Sequence, residues 1–406
     1  MRKLRGIVTQ IMAFCAFCGI MTACSSSDDS VSALSITVQV SAPENAKGLE
    51  LSGKTVTITG ENRSYTGTTD ESGKAVIGDV IPGVYTVSTS WDITSEQYMA
   101  ATGETVQNGK YIVGGSAASQ TLSQNTSIAL ALTVSVKQSM LISKVYYSGC
   151  KDANSKNYLA GRFIELYNNG DEAVNIAGMY IGLTESESTP AYVISTKSDT
   201  IFLKQVFQIP TDKEYMVAPG QNVVIANSAI DHTSDGADIY NLSSATFEAK
   251  DEQGKTTNNP KVPALNLIYS AYAKISQMNL LQSGPTGVVI FNTNEDVAAW
   301  REVFAEGKEK GSKFKTVPSK SVIDGVDILT YKTGSGIDVA TKRLYDYIDA
   351  GYLNVEAITS YTGMVAYRKL QSKTDDGRAI LKDTNNSTED WAVASREEAL
   401  QPGVYK

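Results

Sequence analysis

Short runs of alternating apolar and polar residues, each closed by a turn signal, recur along this chain and confine it to a β fold. Leu34-Ser35-Ile36-Thr37-Val38-Gln39-Val40 sets one apolar and one polar face on a half-buried strand. Thr55-Val56-Thr57-Ile58-Thr59 and Gly83-Val84-Tyr85-Thr86-Val87-Ser88-Thr89 repeat the pattern. Between them, Asp70 and Gly73 suit a hairpin turn in which Gly73 takes a positive φ. Further on, Phe163, Glu165 and Tyr167 fall on one strand face and Ile164 and Leu166 on the other, with Asn169-Gly170 as the turn.

The N-terminus carries a different signal. Arg2, Lys3 and Arg5 precede an apolar run from Ile11 to Met21, the order a secretory signal needs and too short for a spanning helix. Met21-Thr22-Ala23-Cys24 resembles the bacterial lipobox, which implies cleavage after residue 23 and diacylglycerol on Cys24. The polar, acidic Ser25-Ser26-Ser27-Asp28-Asp29 that follows reads as a tether. It also resembles the surface-export signal of Bacteroidetes lipoproteins. The expected address is the outer membrane, lipid-anchored, facing the periplasm or the cell surface. Cys15 and Cys18 would leave with the signal, so only Cys24 and Cys150 remain, and Cys150 reads as a buried small hydrophobe.

Roughly 380 residues beyond the signal suffice for two or three domains. The formal charge of -8 carries no basic footprint for nucleic acid, so the expected partners are the membrane, through the lipid, and an outer-membrane protein or extracellular ligand. A single histidine, His232, leaves any Ser-His-Asp or Cys-His arrangement only one base, and its polar neighbours place it in a surface loop. No Gly-x-Gly-x-x-Gly, phosphate loop or Gly-x-Ser-x-Gly elbow is present, and no cofactor is expected.

Two families supply resemblances. Gly53-Lys54-Thr55-Val56, Thr69-Asp70-Glu71-Ser72-Gly73-Lys74 and Ile81-Pro82-Gly83-Val84-Tyr85 together resemble the carboxypeptidase-regulatory-like (prealbumin-like) β-sandwich, which implies a scaffold over residues 34–135. Phe163-Ile164-Glu165-Leu166-Tyr167-Asn168, Val174-Asn175-Ile176-Ala177-Gly178-Met179-Tyr180-Ile181, Ala218-Pro219-Gly220 and the closing Asp383-Thr384-Asn385-Asn386-Ser387-Thr388-Glu389-Asp390-Trp391 resemble the lamin-tail domain, an Ig-like sandwich. That domain would span 137–406, enlarged by insertions at about 228–285 and 294–353. The first insertion reads as polar. The second holds two amphipathic helices, over 294–310 through Val297, Trp300, Val303 and Phe304 and over 338–353 through Leu344, Tyr347 and Ile348. The whole layout resembles Bacteroidetes lipoproteins of unknown function. The expected fold class is therefore mainly β, with two sandwiches, the second enlarged by helical and loop insertions.

Site candidates are few. Glu165 is expected to bond a neighbouring backbone group or an arginine such as Arg162 or Arg368. Asp383, Asn385 and Asp390 offer oxygens that suit calcium, although Asn-rich turns satisfy their own backbone with the same groups, and no metal site is assigned. Among twenty-one tyrosines, Tyr146, Tyr147, Tyr192, Tyr269, Tyr272 and Tyr361 are candidates for an exposed recognition surface, with core filling as their other role. No catalytic set is visible. The expected function is a binding or accessory module, of the kind that serves an outer-membrane uptake system. The alternatives are a carboxylate-dependent, glycosidase-like hydrolase and a structural spacer.

Overall fold

The computed structural model describes residues 32–406 apart from 61–62, 105–109, 188–198, 235, 333 and 354–358. The lipobox, Cys24 and Tyr192 lie outside the described residues. The architecture is mainly β, and its cores separate at about residue 137.

In the first part, Leu34–Ser41 pairs antiparallel with Lys74–Val80 and parallel with Thr126–Ala131. Facing it is a five-stranded antiparallel sheet ordered Ser64–Thr68, Thr55–Thr59, Gly83–Thr94, Lys110–Leu122, Thr133–Val136. The period-two pattern does what it predicts: Ile36, Val38, Val56, Ile58, Val87 and Val113 meet in one buried cluster. Gly67 lets the sheets close, because a Cβ there would stand 2.6 Å from Ile77 Cγ1. Asp70 Oδ1 accepts from the Ser72 and Lys74 backbone N–H groups at 2.9 and 3.0 Å and Gly73 has φ 76°, so this aspartate makes the turn. Tyr85 is buried between the sheets and its hydroxyl donates to Ile81 O.

The second part is also two sheets face to face. One runs Phe247–Glu248, Asn222–Ala226, Phe163–Asn168, Met140–Tyr146, Val365–Arg368, Trp391–Ala394. The other runs Glu302–Phe304, Lys313–Pro318, Thr200–Gln208, Tyr180–Thr184, Val288–Phe291, Val322–Val326, with Asn266–Ser270 beside Thr200–Gln208. Ile142, Ile164 and Leu166 from one sheet meet Ile181, Leu183 and Ile290 from the other. The outer faces are covered as well. Tyr240, Leu242, Ala245 and Val262, from the segment expected to be a polar insertion, pack on Tyr146, Phe163 and Val365. Val297, Leu344, Tyr345 and Ile348 pack on Tyr180, Leu203, Val289 and Phe291. Burial on both faces explains why strands such as Val288-Val289-Ile290-Phe291 are apolar throughout.

The two amphipathic helices do not form. Over 294–310 the chain makes a 3-10 turn, Val297–Ala299, then the edge strand Glu302–Phe304, and Gly307 and Gly311 follow at φ 73° and 109°. Over 338–353 it makes the 3-10 turn Val339–Thr341 and a single turn closed by the Ile348 and Asp349 N–H groups on Tyr345 O. There the buried Asp327 carboxylate takes the Arg343 and Leu344 N–H groups, both at 2.7 Å, that a helix would have used. The apolar residues at helical spacing are real lid residues, but carboxylate caps hold their backbone.

Candidate functional site

Where the first part's five-stranded sheet turns its outer face to the second part, the two enclose a polar cleft of about 220 Å³. The alternation that sends Val56, Val87, Val113 and Val134 inward puts small hydroxyl residues outward. Thr55 and Thr57 lie on one strand, Ser88 and Ser90 on the next, and Thr133 and Ser135 on the last. Thr57 faces Ser88 across the ladder, and Ser90 faces Gly114. At Gly114 the walls come close, since a Cβ there would make ordinary contact with Thr384 O, across the cleft, at 3.6 Å.

The other wall is the second part's Asp346, Ala350, Lys382, Thr384, Asn385, Asn386 and Glu389. Asn385 Nδ2 donates to Ser135 Oγ at 2.6 Å and Asn386 Nδ2 to Ser116 Oγ at 3.2 Å, which ties the walls together. Gly351 must be glycine to admit this loop, because a Cβ would fall 2.0 Å from Asn386 Oδ1. Lys382 donates to Glu389 O at 3.1 Å and stands 3.5 Å from Glu389 Oε2, while Glu389 Oε1 is buried with no partner among the described residues. The cleft thus offers hydroxyls, amides, one ammonium and two carboxylates, set among apolar surface to which Ile112, Ala350, Gly114 and Gly115 contribute.

Behind this wall the loop is held rigidly. Arg368, fully buried, donates to Asp324 at 2.8 and 3.0 Å, to Asp383 at 3.2 Å, to Asp390 at 3.5 Å and to Ile142 O. Asp390 also accepts from Thr384 N at 2.7 Å and Thr384 Oγ1 at 2.8 Å. Burial pushes the Asp324 and Asp390 carboxyls up to about 6, although Arg368 pulls the other way. Burial, and then the charge of Lys382, lowers the Lys369 ammonium.

The sequence candidates fall out as follows. Asp383 and Asp390 are committed to Arg368 and Asn385 to Ser135, so these three do not assemble a calcium set. No cluster of three acid, His or Cys side chains fit for a metal occurs among the described residues. Tyr146 and Tyr147 are buried core residues, and the Tyr146 hydroxyl donates to Asp238 at 2.9 Å, which removes them from any exposed surface. Tyr269 is half-buried with its hydroxyl on Lys313 O, and Tyr272 is half-buried with its backbone N–H on Ser270 Oγ at 3.3 Å. Tyr361 is half-buried at φ 65°, a left-handed conformation unusual for an aromatic residue. Glu165 pairs with Lys144 at 2.8 Å, both fully buried, and not with Arg162 or Arg368. Ser143, Asn222, Gly403 N and the Tyr405 hydroxyl complete its shell. His232 is buried, not in a surface loop: its Nδ1 meets the Tyr158 hydroxyl at 2.7 Å, its Nε2 meets Ser228 O, and burial lowers its pKa. Cys150 is fully buried, and burial raises its thiol to about 11.

The cleft residues themselves escaped the sequence reading. Their signal was present in Thr55-x-Thr57, Ser88-x-Ser90 and Thr133-x-Ser135, the polar half of alternating strands, which without a partner domain looks like ordinary solvent face.

Residues 218–397 match the model of DUF4876, a family of proteins of unknown function. That segment is similar to the DUF4876 family. That match takes in the whole second wall of the cleft, from Asp346 to Glu389. The crystal structure of a DUF4876 family protein from Bacteroides thetaiotaomicron is 21% identical, covers 88% of this chain and 94% of that chain, and superposes with a TM-score of 0.56, so the fold is shared. A DUF3823 family protein from Bacteroides ovatus is 9% identical over 70% of this chain and 95% of its own, with a TM-score of only 0.14. No curated protein matches the chain.

Proposed function

We propose that the chain is a lipid-anchored, extracytoplasmic binding module that holds a small polyhydroxylated ligand between its two β parts. The carrying observation is the cleft of about 220 Å³ whose floor is rows of Thr and Ser hydroxyls and whose wall adds Asn amides, Lys382 and Glu389. Drug-sized pockets run roughly 300–1,000 Å³ and are mostly apolar, so a cleft this small, with polar and apolar groups sharing its lining about equally, fits one sugar-sized group that gives and takes hydrogen bonds and packs its apolar face. The buried, unpaired Glu389 Oε1 is one acceptor awaiting a donor. In this reading the DUF4876 domain is a lamin-tail-like sandwich, the first part is a prealbumin-like scaffold, and Cys24 tethers both at the outer membrane beside an uptake system. No helix among the described residues is long and apolar enough to cross a membrane, so the lipid is the proposed membrane contact.

Calorimetric titration of the protein with neutral mono- and disaccharides tests the ligand class. Saturable binding that disappears in Ser90→Trp, which plugs the floor, supports it. Blank titrations across the panel leave the spacer reading. Radiolabelled acyl chains appearing on wild type but not on Cys24→Ala would support the anchor, and equal labelling of both would overturn it. Asp346 and Glu389 both line the cleft, and this favours carboxylate-dependent glycoside hydrolysis as a second reading. Release of reducing sugar that Glu389→Gln abolishes would select it.

A further inference from the structure

Away from the cleft, two cations of the second part, the fully buried Lys204 and the half-buried Arg162, have no carboxylate in contact among the described residues. Lys204 sits in Thr200–Gln208 at the point where the strand changes partner: Leu203 pairs with Lys315, whereas Gln205 pairs with Ser270. On the other side, Gln205 faces Leu183 and Leu203 faces Thr184, so Lys204 is the extra residue of a β-bulge, a device that re-aims a side chain. It is fully buried, and among the described residues its ammonium has one partner, Ser186 Oγ at 3.0 Å. The Tyr272 hydroxyl lies near the same serine.

Arg162 approaches from the start of the neighbouring sheet. Its Nε donates to Leu159 O at 2.9 Å and its Nη1 to Leu280 O, and no carboxylate pairs with it among the described residues. Leu280 follows Asn279, whose N–H donates to Gln205 Oε1 at 2.7 Å, so the loop that Arg162 grips hangs from the residue beside Lys204. The nearby acid Glu185 is engaged by Arg343 at 2.7 Å. Burial pushes the Lys204 ammonium down to about 7, with Arg162 and Arg343 adding to the effect and Glu185 opposing it. Tyr361 lies close enough to Arg162 to act on its charge, and its hydroxyl accepts from Gln282 Nε2 at 3.4 Å.

We propose that Arg162 and Lys204 form a binding site for a small oxyanion, a carboxylate or a phosphate, with Ser186 and Tyr272 beside it. A buried cation without a counter-charge is costly and is kept where an anion arrives to complete it. The guanidinium supplies a planar donor edge and the ammonium a point charge, the pairing that oxyanions accept.

The experiment titrates the intact protein with inorganic phosphate in one arm and acetate in the other, against chloride at equal ionic strength, and reads the melting temperature. A saturable rise in phosphate or acetate but not in chloride is expected, and the arm that responds names the oxyanion. Arg162→Met and Lys204→Met should each weaken it at least tenfold. Without added anion, Lys204→Met should melt no lower than wild type, since it removes an uncompensated buried charge and keeps the volume. A response equal to chloride, a response unchanged in both variants, or a large loss of melting temperature in Lys204→Met without ligand would each overturn the proposal.

Discussion

Replacing Arg368 by methionine removes the one cation that Asp324, Asp383 and Asp390 share. Methionine fills most of the volume, so the loss is chiefly electrostatic. Arg368 and the three carboxylates are all buried, and truncating one partner of such a cluster costs about 3–5 kcal/mol because the remaining charges are stranded. For a body of this size, each kcal/mol moves the melting temperature by roughly 2–4 °C, so a drop of about 6–20 °C is expected at pH 7. The pH dependence carries the sign. Asp324 and Asp390 already sit at about 6 in the fold, above their unfolded value, and loss of Arg368 raises them further. A group so raised lends stability below its unfolded pKa and loses it as pH rises through the folded one. The variant's deficit should therefore be small near pH 5 and grow toward pH 8. Urea unfolding of wild type and variant at both pH values measures it. A deficit under about 1 kcal/mol at pH 7, or one equal at pH 5 and pH 8, would refute the assignment of this cluster as a charge-balanced clasp behind the cleft wall.

Asp327 gives an independent pH test: burial raises it to about 6, one of its oxygens has no partner, and Asp327→Asn keeps an acceptor for the Arg343 and Leu344 N–H groups. Moving from pH 8 to pH 4 should favour wild type over Asp327→Asn by up to about 3 kcal/mol, and parallel stability curves would contradict it.

Legibility in the sequence followed burial geometry. One-sided strands of the first part announced themselves by strict alternation, as Leu34–Ser41 and Thr55–Thr59 show, and so did the Asp70–Gly73 turn. The lids of the second part were harder. Leu344, Tyr347 and Ile348 have helical spacing because they cover a sheet, yet Asp327 takes the Arg343 and Leu344 N–H groups and Asp349 takes that of Gly351, groups that a helix would need. Tyr240, Leu242 and Phe247 were hidden in a stretch whose average is polar, since only a few side chains per loop reach the core. Glu165 was legible as structural, but its partner was not: Lys144 lies on the neighbouring strand, and only the register Glu165 to Lys144 brings them together. The cleft and the Arg162–Lys204 pair depend on contacts between segments far apart in the chain, which no local pattern encodes.

The central claim, that the two β parts hold a small hydroxylated ligand between them, is tested most directly by hydrogen–deuterium exchange with and without a saccharide that binds in calorimetry. Protection should rise together in 88–90, 114–116 and 382–389, the two walls of the cleft, and vanish in Ser90→Trp. Protection confined to one wall or appearing elsewhere, or binding undiminished in the plugged variant, would contradict it.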